Sequence, residues 1–284
     1  MSGPAHLPYL LVSLKTLREH YDGEVVVFAW KESIDIARKI AEDKRLNIEV
    51  RLREPAHRSK NAQFMDKIKV AAAQKGEIDC VLYLDADTTI HGSLDFLFNN
   101  AYVHGFAATQ FNSWLTTQGI PSKRIVKLLK YDGQIDPVLV NECLDKDSRI
   151  PSVNGGVWAC RPESAVLDDW YNMTEIARSE FIADEVVMHL LAPKFKTTGN
   201  YTIVTGNGKF NCSPKFQSKR LHDDDVTIRH YHGDSNVRPQ KNQKGYDLWW
   251  PIYLECLKEN FGNIQQWILD IDNKWMNLLR ERSD

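Results

Sequence analysis

The chain has 284 residues, 43% of them hydrophobic and 26% charged, with a formal net charge of −2 at pH 7. It can bury one sizeable core, but it has no excess of positive charge to hold a nucleic acid by counterion release. Cys80, Cys143, Cys160, Cys212 and Cys256 are odd in number and include no Cys-x-x-Cys pair, and no run of about 18 apolar residues exists, so a disulfide framework, a zinc knuckle and a membrane span are not indicated and a reducing, cytoplasmic setting is expected.

Leu10, Leu11, Leu14 and Leu17 recur at helical spacing over 10–20, and Asp22-Gly23 ends that pattern. The apolar run 25–30 predicts a strand covered on both faces, 34–41 a helix, and the alternating 48–52 a short strand. Residues 61–74 read as a helix and 80–84 as another continuous apolar strand. The stretch 112–150 is polar and looks irregular. Strands follow at 153–159 and 201–204, with helices at 164–178 and 184–192 between them. The polar run 233–246 is the best candidate for a loop. Finally, Ile264, Trp267, Ile268, Ile271, Trp275, Leu278 and Leu279 share one face of an amphipathic closing helix. Strands alternating with helices predict an α/β fold with a mostly parallel central sheet.

The strand at 80–84 delivers Asp85 and Asp87 at its carboxyl end, the edge of an open α/β sheet where ligands bind. Two acids at i, i+2 repel unless a cation lies between them, and oxygen ligands suit Mn2+ or Mg2+. The same pair could also close a turn onto the backbone of Thr88 and Thr89.

The longer context, Leu82-Tyr83-Leu84-Asp85-Ala86-Asp87-Thr88-Thr89-Ile90-His91-Gly92-Ser93-Leu94-Asp95-Phe96-Leu97-Phe98, resembles a signature of glycogenin and the bacterial lipopolysaccharide glucosyl- and galactosyltransferases. That resemblance implies the GT-A (Rossmann-like) fold, a nucleotide-sugar donor with UDP-hexose as the default, and a retaining transfer. It makes Asp85 and Asp87 ligands of the cation and of the donor diphosphate. Phe64-Met65-Asp66-Lys67-Ile68 resembles the helix whose lysine reaches the donor, although Lys67 could equally be a solvated helix lysine. Val153-Asn154-Gly155-Gly156-Val157-Trp158 resembles a segment that sets an asparagine near the donor sugar, although Asn-Gly is also a strong turn former. Ala183-Asp184-Glu185 resembles an Asp-Gln segment beneath the sugar, with Glu185 replacing the Gln. Its plain alternative is a helix cap.

In Arg229-His230-Tyr231-His232-Gly233 the resemblance makes His230 the third metal ligand, with His232 a weaker rival. Gly233 and, two residues out of register, Arg238 would contact the diphosphate. The matches run in family order from about residue 9 to 239. Residues 1–245 are therefore expected to form the GT-A domain and 246–284 a helical extension packed on it.

Three readings compete with retaining transfer. Glu185 could act as the base of an inverting transferase. A nucleotidyltransferase would need a Gly-rich basic N-terminal loop, which is absent. A non-catalytic sugar binder would use Trp114, Trp158, Trp249 and Trp250, and Trp249-Trp250 is in either case a candidate acceptor platform. The acceptor, whether carbohydrate, lipid or protein, is open. Proteins of this fold begin with a central strand, yet Gly3-Pro4-Ala5-His6-Leu7-Pro8 looks like the loop that would follow one. Either the sequence lacks that strand or the later strand at 201–204 takes its place.

Overall fold

Pro8 lies in the first turn of α1 (Leu7–Arg18), where its missing N–H costs nothing, so the helix starts earlier than its leucines alone suggest. In the computed structural model, which describes residues 6–54, 62–115, 120–145, 147, 149–217, 219–232, 245–269 and 271, α1 leads into β1 (Val25–Ala29), α2 (Ile34–Ala41) and β2 (Ile48–Leu52). β1 and β2 pair in parallel with Val27 opposite Val50, the arrangement that requires a crossover such as α2.

Next come α3 (Ala62–Ala72), β3 (Val81–Leu84), the short β4 (Thr88–Ile90), α4 (Asp95–His104) and β5 (Phe106–Trp114). Gly105, at φ 76°, turns the chain from α4 into β5. The stretch expected to be irregular instead holds α5 (Ile120–Ile125), a 3-10 turn (Val126–Tyr131) and α6 (Pro137–Leu144). The start of α6 is written in the sequence: the Asp136 carboxylate accepts the Val138 N–H, and Pro137 fills the first turn. β6 (Pro151–Cys160), α7 (Ala165–Ile176), α8 (Ala183–Lys194), β7 (Thr202–Val204), β8 (Ile228–His230) and α9 (Tyr246–Lys258) complete the regular elements.

The main sheet has the order β3-β6-β5-β7. β6 runs antiparallel to both neighbours, while β5 and β7 are parallel. Nearly all of β6 is buried. One core packs α7 and α8 on the sheet through Trp158, Trp170, Met188 and Leu190. Another lies on the α4 side around Leu97, Ala101, Val157 and Ala159. A third joins α1 to α9 through Leu11, Trp249, Tyr253 and Trp267. Among the described residues no helix is long and apolar enough to cross a membrane.

The central sheet is mixed rather than mostly parallel, because β6 is antiparallel to both neighbours, and two further expectations need correction. β7 pairs with β5, Thr202 lying opposite Ala107, so it closes the edge of the sheet farthest from β3 and does not substitute for a central strand. The free edge of β5 is what the short link after α8 reaches without crossing the sheet. Among the described residues no strand pairs with β3 on its side away from β6, or with β1 away from β2. The closing helix also does not begin at Ile264, which lies in a 3-10 turn instead. α9 ends at Lys258, and Asn260, Gly262 and Asn263 take positive φ around a 3-10 turn (Phe261–Gln266). A Cβ on Gly262 would come within 2.3 Å of Leu11 Cδ1, so the turn sits hard against α1. Ile264, Trp267, Ile268 and Ile271 are buried. Trp275, Leu278, Leu279 and the loop 233–244 lie outside the described residues.

His189 ties α8 to the middle of β6. It accepts the Val153 N–H at Nε2 (3.2 Å), and its Nδ1 lies 2.8 Å from the Glu185 carbonyl, to which it donates. Burial lowers its pKa from 6.5 to about 4. Between those values the unfolded chain binds a proton that the folded one refuses. Stability is therefore full above the unfolded pKa and is lost as pH falls toward the folded one, by about 3 kcal/mol in all. Urea unfolding should show that decline between pH 6.5 and 4, the two pKa values above, and His189→Gln, which keeps an acceptor but cannot titrate, should flatten it. An unchanged slope in the variant would assign the acid sensitivity elsewhere.

Candidate functional site

The site is built around two adjacent glycines in β6. Successive residues of a strand face opposite sides of the sheet, and here each side has no room for a side chain. A Cβ on Gly155 would lie 2.7 Å from Lys67 Nζ and 2.8 Å from Asp184 Oδ2. A Cβ on Gly156 would lie 2.2 Å from His230 Cε1 and 2.8 Å from Asp85 Oδ2. The Asn154-Gly155 pair therefore makes no turn; it lets two clusters of charged groups close on the strand.

On the Gly156 side, β3 ends at Leu84 and the chain turns through Asp85-Ala86-Asp87 into β4. The turn expected as an alternative to a cation site, with the carboxylates on the Thr88 and Thr89 backbone, is not formed; instead Thr88 Oγ1 donates to the Asp85 carbonyl (2.9 Å). The Asp85 N–H donates to the Gly156 carbonyl (2.7 Å), and the Asp87 carbonyl accepts the Tyr231 N–H (2.8 Å). α1 steadies β4, because Thr16 Oγ1 accepts the Ile90 N–H (3.0 Å) and Ser13 Oγ lies 3.2 Å from Thr88 Oγ1. β8 pairs with β4 so that His230 lies opposite Thr88.

The result is three ligand atoms, one each from Asp85, Asp87 and His230, within 4.8 Å of one another. His230 Nε2 is 3.3 Å from Asp87 Oδ1 and 3.7 Å from Asp85 Oδ2. Its other nitrogen, Nδ1, is 2.9 Å from Asn211 Oδ1, an acceptor that fixes the proton there and turns the Nε2 lone pair toward the acids. Tyr83 donates its hydroxyl to Asp85 Oδ1 (2.7 Å), leaving Oδ2 for the cluster. This donor set fits Mn2+ or Mg2+. Burial alone would lower the His230 pKa, but the Asp87 carboxylate and the hydrogen bond to it raise it. Asp87 is desolvated, yet the His230 charge holds it down at about 2.

On the Gly155 side, Lys67 is buried at the end of an ion pair with Asp184 Oδ2 (2.7 Å) and donates to the Gly155 carbonyl (3.0 Å), so it is not the solvated helix lysine. Burial disfavours its charge, but Asp184 and Asp85 together raise its pKa. Asp184 does not cap α8. The N-cap is Ile182, which is held in a left-handed conformation (φ 51°, ψ 47°) that strains a β-branched residue, and Asp184 and Glu185 lie in the first turn. The Trp170 indole N–H donates to the Asp184 carbonyl (2.8 Å) and fixes that turn. Asp184 Oδ1 is buried with no hydrogen-bond partner among the described residues. Asn154 donates to Glu185 Oε2 (2.6 Å) and accepts the Gly156 N–H (2.8 Å), which links the two sides. Burial, then the neighbouring Asp184 charge, raise Glu185 to about 7.

Asp85, Asp87, His230, Asn154, Lys67, Asp184 and Glu185 thus converge on one segment of β6. Gly233 and Arg238 lie outside the described residues. His232 packs against Phe111 and Phe216 and does not join the acids. Trp249 is 0% exposed and stacks on Tyr253 inside the third core, and Trp158 is equally buried, so neither is a sugar platform. Sequence reading missed Tyr83 and Asn211. Tyr83 stands two residues before Asp85, which a strand end places on the same side. Asn211 carries no signal in sequence, because it meets His230 only through the pairing of Cys212 with Arg229.

No family model and no curated protein matches the chain. Solved structures do. Mouse xyloside xylosyltransferase 1 in its apo form superposes with a TM-score of 0.53 at 12% identity, over 83% of this chain and 94% of that one. The apo WbbM bifunctional glycosyltransferase gives 0.57 at 14%, over 89% of this chain and 48% of that one. The glycosyltransferase GlyE of Streptococcus pneumoniae TIGR4 gives 0.52 at 14%, over 92% and 62%. The chain thus spans about half of WbbM and less than two thirds of GlyE. Likeness at this identity establishes the fold, a mixed α/β sheet flanked by helices of the GT-A type.

Because a methyl group at Gly156 would strike His230 and Asp85, Gly156→Ala should weaken Mn2+ binding at least ~10-fold, the scale of lost second-shell support, while the protein stays folded. Titration calorimetry and circular dichroism measure the two effects; unaltered affinity in a folded variant would show that these groups do not form the cation site. Because Asp87 raises the His230 pKa and a ligand imidazole must give up that proton, Mn2+ binding should also weaken as pH falls, seen as a binding heat that changes with the ionisation heat of the buffer.

Proposed function

We propose that this protein is a metal-dependent glycosyltransferase that moves a hexose from a nucleoside-diphosphate sugar, UDP-linked by default, to a carbohydrate, lipid or protein acceptor. The observation that carries this reading is the convergence of Asp85, Asp87 and His230 at the carboxyl end of β3 in a chain of glycosyltransferase fold.

Mn2+ or Mg2+ held by those three residues would neutralise the diphosphate and act as a Lewis acid toward the leaving group. Asp85 and Asp87 bind that cation and, through it, orient the donor. Asp184 offers its unpartnered Oδ1 to a hydroxyl of the donor sugar, and Lys67 holds the other oxygen in place. Asn154 holds Glu185 beside Asp184 in the first turn of α8. In the transfer, the bond from the acceptor oxygen to the anomeric carbon forms as the bond from that carbon to the β-phosphate oxygen breaks. The electron pair leaves on the diphosphate. In the retaining course the acceptor proton passes to that diphosphate oxygen, on the face from which it departs.

A second reading is favoured by one observation. A carboxyl group held at about 7 is matched to proton transfer near neutral pH, so Glu185 could take the acceptor proton from the opposite face and invert the anomeric centre. The five cysteines are all free thiols, which supports a reducing, cytoplasmic setting for either course.

Incubation with UDP-, GDP- and CMP-sugars plus Mn2+ should reveal slow donor hydrolysis that stops with EDTA and returns with added Mn2+. Asp87→Ala should abolish it without unfolding the protein; full activity of that variant would sink the proposal. Proton NMR of the first-formed sugar anomer separates retention from inversion. If Glu185 is the base, the rate should climb as pH rises through about 7 and lose that step in Glu185→Gln. An unchanged profile would leave the retaining course.

A further inference from the structure

Beyond the cation cluster, three aromatic rings form a corner. Phe111 and His232 meet edge to face at 4.7 Å and 82°, Phe111 and Phe216 at 6.4 Å and 74°, and Phe216 and His232 at 5.8 Å and 55°. The His232 ring lies 5.3 Å from that of the ligand His230. Phe111 follows Gln110, which pairs with Val153 next to Asn154, so the corner lies along the same stretch of β5 and β6 as the site. Phe216 is 52% exposed, an apolar ring facing solvent beside a polar centre.

The corner is rigidly mounted. Lys209 accepts the N–H groups of Thr227 and Ile228 through its carbonyl, Cys212 pairs with β8, and the Phe216 N–H donates to the Ser213 carbonyl (3.0 Å). The segment that sets the His230 tautomer through Asn211 therefore also carries Phe216. Lys215 covers one face of Phe216, its Nζ lying 5.4 Å from the ring centre.

We propose that Phe111, Phe216 and His232 form the subsite that receives the acceptor, and that the group it receives is a pyranose ring stacked by its C–H face on the open side of Phe216. This rests on the glycosyltransferase reading above. The Phe111 and Phe216 rings themselves offer a phosphate no donor, and Lys215 lies on only one face of Phe216, whereas a sugar ring offers a flat apolar face with hydroxyls at its rim. His232 suits the same occupant: its Nδ1 is buried with no partner among the described residues, so it can exchange a hydrogen bond with one of those hydroxyls. A carbohydrate acceptor is thereby favoured over a lipid or a bare polypeptide.

The test pairs two measurements on wild type, Phe216→Ala and Phe216→Trp. Mn2+-dependent hydrolysis of the nucleotide-sugar reads the donor site. Saturation-transfer NMR with methyl α- and β-pyranosides of glucose, galactose, mannose and xylose reads the acceptor subsite. The expected result is hydrolysis within about twofold of wild type in both variants, pyranoside binding weakened roughly tenfold in Phe216→Ala, and binding recovered in Phe216→Trp. Equal pyranoside binding by wild type and Phe216→Ala would overturn the proposal, as would no binding by wild type, and either result leaves the transfer reading intact if hydrolysis is present. Absence of hydrolysis in wild type would defeat the transfer reading instead, while selective loss of pyranosides in Phe216→Ala would still support the stacking subsite.

Discussion

The close approach of side chains from four separate segments to the backbone of β6 at Gly155 and Gly156 is the constraint on which the site depends. Lys67 comes from α3, Asp85 from the end of β3, Asp184 from the first turn of α8 and His230 from β8. All four would collide with a Cβ on one glycine or the other. Glycine in the middle of a central strand weakens it by about 0.5–1 kcal/mol relative to alanine. The strand tolerates this because its remaining residues are almost wholly buried between helices on both faces. Packing at the flanks thus offsets openness at the centre.

Charge explains why such a centre needs a partner from solution. Asp85, Asp87, Asp184 and Glu185 gather around the cations of Lys67 and, when protonated, His230. Lys67 is already engaged by Asp184 and by the Gly155 carbonyl. Desolvated carboxylates in this number cannot all remain ionised without compensation. The protein answers differently on the two sides of β6. Facing Gly156, Asp87 favours a proton on His230 at the place where a divalent cation could instead balance Asp85 and Asp87. Facing Gly155, the ion pair holds Asp184 while Glu185 becomes easier to protonate. One strand therefore separates a site suited to a cation and its anionic ligand from one suited to hydroxyl groups and proton transfer.

Much of the framework is legible in the residues themselves. The 3.6-residue period of α1 and α2, the unbroken apolar runs of β1 and β3, and the acids that follow β3 are local patterns, and local sterics and burial enforce them wherever the chain folds. The helix of α6 is equally local, since Asp136 and Pro137 mark its start, yet the polarity around it hides the pattern. β5 is harder to see, because Thr109, Gln110, Asn112 and Ser113 break its apolar run.

The sequence by itself determined which residue types could do chemistry here: paired acids after a buried strand, a glycine pair, and a histidine late in the chain. Only the tertiary structure decided how they are used. It seated Trp249 in the core rather than at the surface, sent β7 to the outer edge of the sheet, placed Ile264 in a 3-10 turn rather than a helix, and aligned Asn211 and Tyr83 behind the candidate cation ligands. The physical reason is range. Periodicity and capping act over a few residues, whereas a tautomer, an ion pair or an aromatic corner depends on groups brought together from distant parts of the chain, and neither partner's own neighbours in sequence specify the other.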